Sequence, residues 1–87
     1  MKPPMSPDVG DTIYIIARNA VLREFEFPAT VKKVTPAQVV AVDPRGREYR
    51  IWRETYYVIG HTPHWFAQLT PSEGAEKPSW LTRIENA

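Results

Sequence analysis

Residues 12–59 break into short β-branched runs and stretches that alternate apolar with polar, the marks of β-strands. Thr12–Arg18, TIYIIAR, is rich in β-branched and aromatic residues and predicts a buried strand. In Glu24–Val34, EFEFPATVKKV, the alternation is explicit, with Glu24 and Glu26 facing one way and Phe25 and Phe27 the other. Pro28 cannot donate to a ladder, so that strand is expected to lie at an edge there or to bend at a bulge. Strict alternation through Lys32 and Lys33 sends their side chains to opposite faces, which predicts no lysine patch. Gln38–Val42 and Arg47–Arg53 read as a third and fourth strand, and Tyr56–Ile59 as a short fifth one closed by Gly60.

The turns between these runs are also legible. Thr35-Pro36-Ala37-Gln38 matches a helix capping box in letters, but the run VVAV that follows is β in character, so a tight turn is expected. In Asp43-Pro44-Arg45-Gly46, Pro44 presets φ at the first central position, Asp43 caps the turn with its side chain, and Gly46 accepts a positive φ. A curved antiparallel hairpin follows.

After Gly60 the pattern changes. Thr62-Pro63 predicts the start of a short helix running through Leu69. Ser79 predicts the cap of a last helical turn, with Trp80, Leu81 and Ile84 on one side. Pro3, Pro4 and Pro7 make residues 1–8 a loose leader. The expected division is therefore a leader (1–8), a barrel (9–60) and a C-terminal extension (61–87), the last without a partner strand inside the chain. The extension is expected to pack on the barrel or to reach another molecule.

Composition narrows the function classes. At 87 residues the chain is one domain with one modest core. The absence of cysteine excludes disulfides, thiolate metal sites and cysteine nucleophiles. No apolar run approaches the roughly 18 residues that cross a bilayer, and MKPPMSPDVG does not read as a signal peptide. A cytoplasmic protein is the resulting expectation. Net charge is only +1, well short of the excess usual for a dedicated non-specific nucleic-acid binder.

The opening Val9-Gly10-Asp11-x-Ile13-Tyr14-Ile15, with five short strands and a late tight hairpin, resembles SH3-like small β-barrels of the KOW and Tudor type. The chain is also similar to small uncharacterised barrel proteins of actinobacterial phages. There an A-x-V-x-K-V strand is matched by Ala29, Val31, Lys33 and Val34. A following V-V-x-V-D is matched by Val39, Val40, Val42 and Asp43, and a Y-R-x-R-x-T segment is approximated by Tyr49, Arg50, Arg53 and Thr55. The resemblance covers residues 9–60. It implies a mainly β fold, a five-stranded antiparallel SH3-like barrel with a partly helical C-terminal extension, and a phage-encoded accessory protein in a host cytoplasm. Such folds carry many functions, so the fold does not choose among them.

Candidate binding residues centre on the hairpin. Tyr49 and Ile51 are expected to face the core and Arg50 and Trp52 the solvent. Trp beside Arg suits a protein hot spot or base stacking with phosphate pairing; the plainer reading puts Trp52 under the C-terminal extension, with Glu48 and Glu54 neutralising the arginines and weakening any phosphate site. The leading expectation is contact with a host or phage protein through Arg50 and Trp52, joined by tail residues His64, Trp65, Phe66 and Trp80. The alternative is a nucleic-acid face of Arg45, Arg47, Arg50, Trp52 and Lys32. A third reading is a homo-oligomer subunit joined by an exposed strand edge or the tail. The same tail aromatics have a plainer role, covering an open end of the barrel. His61 and His64 form H-x-x-H, but Pro63 would leave His61 outside any helix, so no metal site is expected. No cofactor is expected either. Only two histidines are present, and no nucleophile–base–orienting-group set can be assembled, so the chain reads as non-enzymatic.

Overall fold

The computed structural model describes residues 3–19, 21, 23–61 and 64–87. It is mainly β. Five strands, β1 (Thr12–Arg18), β2 (Glu24–Val34), β3 (Gln38–Val42), β4 (Glu48–Trp52) and β5 (Phe66–Gln68), are followed by one helix, α1 (Ser79–Glu85). The strands form one antiparallel, curled sheet in the order β4-β3-β2-β1-β5.

The inward row follows from the period-two pattern. Ile13, Ile15 and Ala17 of β1, Phe27, Ala29 and Val31 of β2, Val39 and Ala41 of β3, and Tyr49 and Ile51 of β4 are all buried in one cluster. Alanines alternate with larger side chains along these strands, which lets so small a sheet curl around its own interior. As expected, Tyr49 and Ile51 point in while Arg50 and Trp52 point out.

The Asp43–Gly46 turn has the predicted geometry. The Gly46 amide donates to the Asp43 carbonyl and the Asp43 amide donates to the Arg47 carbonyl, both at 2.9 Å. Gly46 has φ +87°. This is a three-residue loop closed by a bulge at a left-handed residue. A turn one residue longer, again ending in a left-handed residue, follows β4. The Trp52 carbonyl accepts from the Tyr56 amide while the Trp52 amide donates to the Tyr57 carbonyl. Here the left-handed position is Tyr56, at φ +68°, where glycine is the usual choice. Its hydroxyl donates to the Pro3 carbonyl at 2.9 Å, and its ring is buried in the core.

Five expectations need correction. Residues 66–68 are a strand, not the end of a helix begun at Thr62-Pro63 (those two residues lie outside the described ones). The edge of β1 offers unpaired backbone groups, and Ile15 pairs with Ala67 there. The extension therefore does have a partner strand within the chain. Tyr56–Ile59 is not a ladder strand but makes two isolated bridges, Ile51 with Val58 and Tyr57 with Phe66. These hydrogen-bond on one side to β4 and on the other to β5, so the segment joins the two edges of the curled sheet. The leader is not loose from residue 3 onward: Met5 is fully buried, and its amide donates to the Arg53 carbonyl at 2.8 Å. Finally, Ile84 does not share the packed side of α1. Leu81 is buried and Trp80 half-buried against the core, while Ile84 is exposed.

Between β5 and α1 the chain crosses β2 as a strap. The Glu26 carboxylate, outward on β2 yet buried, accepts from the Ser72 amide at 3.0 and 3.2 Å. The Glu26 amide donates to the Glu76 carbonyl at 2.8 Å, and Arg23 pairs with the Glu76 carboxylate. Glu26 is thus covered by chain rather than by water, with its carboxylate hydrogen-bonded as a buried charge requires.

Candidate functional site: an outward basic and aromatic face

One of the predicted arginines, Arg45, is structural. Asp43, whose side chain is fully enclosed, accepts from the Arg45 and Arg47 amides at 2.8 and 3.1 Å through one oxygen. Its other oxygen accepts from the Arg45 guanidinium at 3.0 Å and the Tyr49 hydroxyl at 2.9 Å. Burial disfavours the charged carboxylate, but the bonds from Arg45, Tyr49 and the two amides outweigh it and hold Asp43 below its ordinary value. The Arg45 guanidinium then lies 3.7 Å from the centroid of the Trp80 ring. Arg45 is therefore a clamp between the hairpin tip and α1. Arg53 is likewise occupied, donating to the carbonyls of Met5 and Thr35 at 2.7 and 3.1 Å.

The tail aromatics Trp65 and Trp80 also face inward. Phe27 is the ring both of them meet, edge-on at 6.2 and 5.4 Å. The Trp65 indole N–H donates to the Arg18 carbonyl at 3.0 Å, and His61 stacks on Trp65 at 3.8 Å. Burial pushes the His61 imidazole below its ordinary pKa. These rings cover the end of the core and are not exposed anchors. Phe66 is half-buried beneath the Arg18 guanidinium, itself paired with Glu24 at 2.7 Å. His64 alone of the four is exposed, stacked on Tyr57 at 5.1 Å. The two histidines are thus drawn to different rings. Among the described residues no group of three or more His, Asp or Glu side chains is placed to hold a metal.

What remains is the outward face of β2–β4, and here strict alternation fails. The pairing of β2 with β3 shifts register between Val31 and Lys33. Val31 is in the core and Val34 packs against it, leaving two residues between them on the outside. Lys32 and Lys33 are therefore both exposed and line the same depression, of about 360 Å³, with Gln38, Val40, Glu48 and Arg50. The expectation that the lysines part to opposite faces is overturned by one inserted residue. Lys33 is paired with Val40, and Val40 with Arg50, so the three lie in one row across the sheet. Lys32, Lys33 and Arg50 make no side-chain hydrogen bond or ion pair among the described residues. Glu48, two residues from Arg50 on the same face, is the carboxylate that borders them.

No protein-family model, curated protein or solved structure matches this chain.

Trp52 is the next outward residue of β4 after Arg50 and is 43% exposed. It borders a second depression, of about 480 Å³, shared with Pro4, Pro36 and Ala37. The predicted set is therefore divided. Lys32, Arg50 and Trp52 come together on one face, with Lys33 added. Arg45 and Arg47 sit at the hairpin tip, of the opposite strand parity, and Arg45 is already bound. Among the described residues no helix is long and apolar enough to cross a membrane.

Proposed function

We propose that this protein is a non-enzymatic binding module whose ligand is a nucleic acid, held at its phosphates by Lys32, Lys33 and Arg50. The observation that carries the reading is the bulge after Val31, which places both lysines beside Arg50, three cations against the single carboxylate of Glu48 and none of them in an ion pair with it. Unpaired cations sharing a shallow face are suited to a phosphate backbone, whose binding is driven by counterion release. With the resemblance of residues 9–60 to phage barrel proteins, the proposal extends to a phage accessory module acting in a host cytoplasm.

A protein ligand is the second reading, favoured by Trp52 beside Pro4 and Pro36, an apolar shelf of the kind an anchor residue uses. It has lost Trp65 and Trp80, which are spent on Phe27. An oligomer built on free sheet edges has less support, because β4 and β5 are both hydrogen-bonded to residues 56–59.

The test is fluorescence anisotropy of labelled oligonucleotides over a range of salt. Three phosphate contacts on a single strand predict a log–log slope near about −2, reduced by roughly 0.7 for each cation removed. Lys33→Ala and Arg50→Ala are each expected to weaken binding to all sequences alike. Affinity that ignores both substitutions, or no binding at low salt, overturns the nucleic-acid reading.

A further inference from the structure

The basic row has an aromatic row beside it. Ile51 bridges Val58, and both are core residues, so the neighbouring pair Trp52 and Tyr57 lies on the outside. The Trp52 amide donates to the Tyr57 carbonyl at 2.9 Å, which sets the two residues directly opposite each other. Tyr57 in turn bridges Phe66. Trp52, Tyr57 and Phe66 therefore stand side by side across three adjacent segments, spaced by about 5 Å. Trp52 and Tyr57 are 43% and 45% exposed, and the His64 ring lies stacked on Tyr57. Phe66 ends the row beneath Arg18.

Large flat rings so exposed are unusual in a chain this small, whose other tryptophans are turned inward. On the outward face of β4 the aromatic row begins at Trp52 and the basic row crosses at Arg50, roughly 7 Å apart along the strand. We infer that Trp52 and Tyr57, with His64 as its stacked neighbour, form a base-stacking platform, and that the ligand is single-stranded nucleic acid. This rests on the phosphate-binding role of Lys32, Lys33 and Arg50 and specifies its substrate class. A duplex offers phosphates to the basic row but keeps its bases stacked on each other, so the aromatic row would stay idle. A single strand satisfies both: phosphates along Lys33 and Arg50, unstacked bases on Trp52 and Tyr57.

The experiment compares labelled single-stranded oligothymidylate with a duplex of equal length, using the whole chain, Tyr57→Ala, Tyr57→Phe and Arg50→Ala, each first checked for an unchanged thermal melt. The single strand is expected to bind more tightly than the duplex. Tyr57→Ala is expected to weaken single-strand binding about 5- to 150-fold, the range of one base–aromatic stack, without altering the salt slope. Tyr57→Phe keeps the ring and is expected to restore it. Equal affinity for both forms, or Tyr57→Ala binding as the unaltered chain does, overturns the platform while leaving the phosphate row standing, provided Arg50→Ala still lowers the salt slope. No binding to either form at low salt overturns both. Should Tyr57→Ala fail to keep the melt, Trp52→Ala measured against Trp52→Phe gives the same reading, because that ring too is only half covered.

Discussion

Replacing Trp80 with alanine tests whether α1 is part of the folded core. Trp80 is half-buried, meets Phe27 edge-on at 5.4 Å, and carries the Arg45 guanidinium 3.7 Å from its ring centroid. A fully buried tryptophan cut to alanine costs about 3–5 kcal/mol, so a half-buried one belongs at or just below the lower bound, near about 3 kcal/mol. Of that, the edge-to-face pair accounts for about 1 kcal/mol. The cation–π contact adds about 1 kcal/mol, its guanidinium being fixed by Asp43 rather than free in water. For a domain of this size each kcal/mol moves the midpoint by about 4–8 °C, so Trp80→Ala should melt roughly 12–24 °C lower. Far-UV circular dichroism follows the melt without depending on the missing indole. A double-mutant cycle with Arg45→Met isolates the cation–π contact, with an expected coupling of about 0.5–2 kcal/mol. A midpoint that falls by less than about 3 °C, with no coupling to Arg45, would mean that α1 is not held on the sheet and that the clamp is not formed.

Two further outcomes concern the Asp43 turn. Because Asp43 titrates below its ordinary value, the native state binds that proton less readily than the unfolded chain. Its contribution is complete above the unfolded value near about 3.9 and is lost as pH falls through the folded one. Urea midpoints should therefore drop below pH ~4 in the natural chain more steeply than in Asp43→Asn, which is less stable near neutrality; parallel pH profiles would contradict this. Gly46→Ala meets no atom within 4 Å of the new Cβ, so its cost is the left-handed backbone alone, about 1–2 kcal/mol in a urea melt. A neutral effect would show that the turn relaxes to another geometry.

The strands were legible wherever one face is buried, because each such residue had to alternate. Phe27, Tyr49 and Ile51 follow from period two, Ile13, Ile15 and Val39 sit in runs whose β-branched composition marked the strands, and Asp-Pro-x-Gly announced its turn in the residues themselves. The lysine row did not follow. TVKKV contains no glycine to mark a bulge, and the extra residue is fixed by pairing with β3, a tertiary choice. The short strand β5 was hidden for a related reason. Phe66-Ala67-Gln68 has too few residues for a period, and it is a strand because β1 has a free edge. Tyr57 was missed because the turn before it puts Tyr56, not glycine, in the left-handed position, so the sequence carried no sign of which tyrosine turns in. Arg45 looked like a ligand contact because a sequence does not reveal that Asp43 is buried beside it.

The core is sealed from both directions of the chain: Met5 enters from before β1 and Leu81 from the helix at the other end. β1 likewise waits for β5 before its second edge is paired. Contacts between such distant residues incur their loop-closure cost before they return any burial. During synthesis the sheet of β1–β4 would thus spend an interval with Phe27 uncovered and one edge open, until Trp65, β5 and α1 arrive. A nascent chain stalled before residue 65 should be the sticky, chaperone-dependent form of this protein, and release of the last helix the event that makes it self-sufficient.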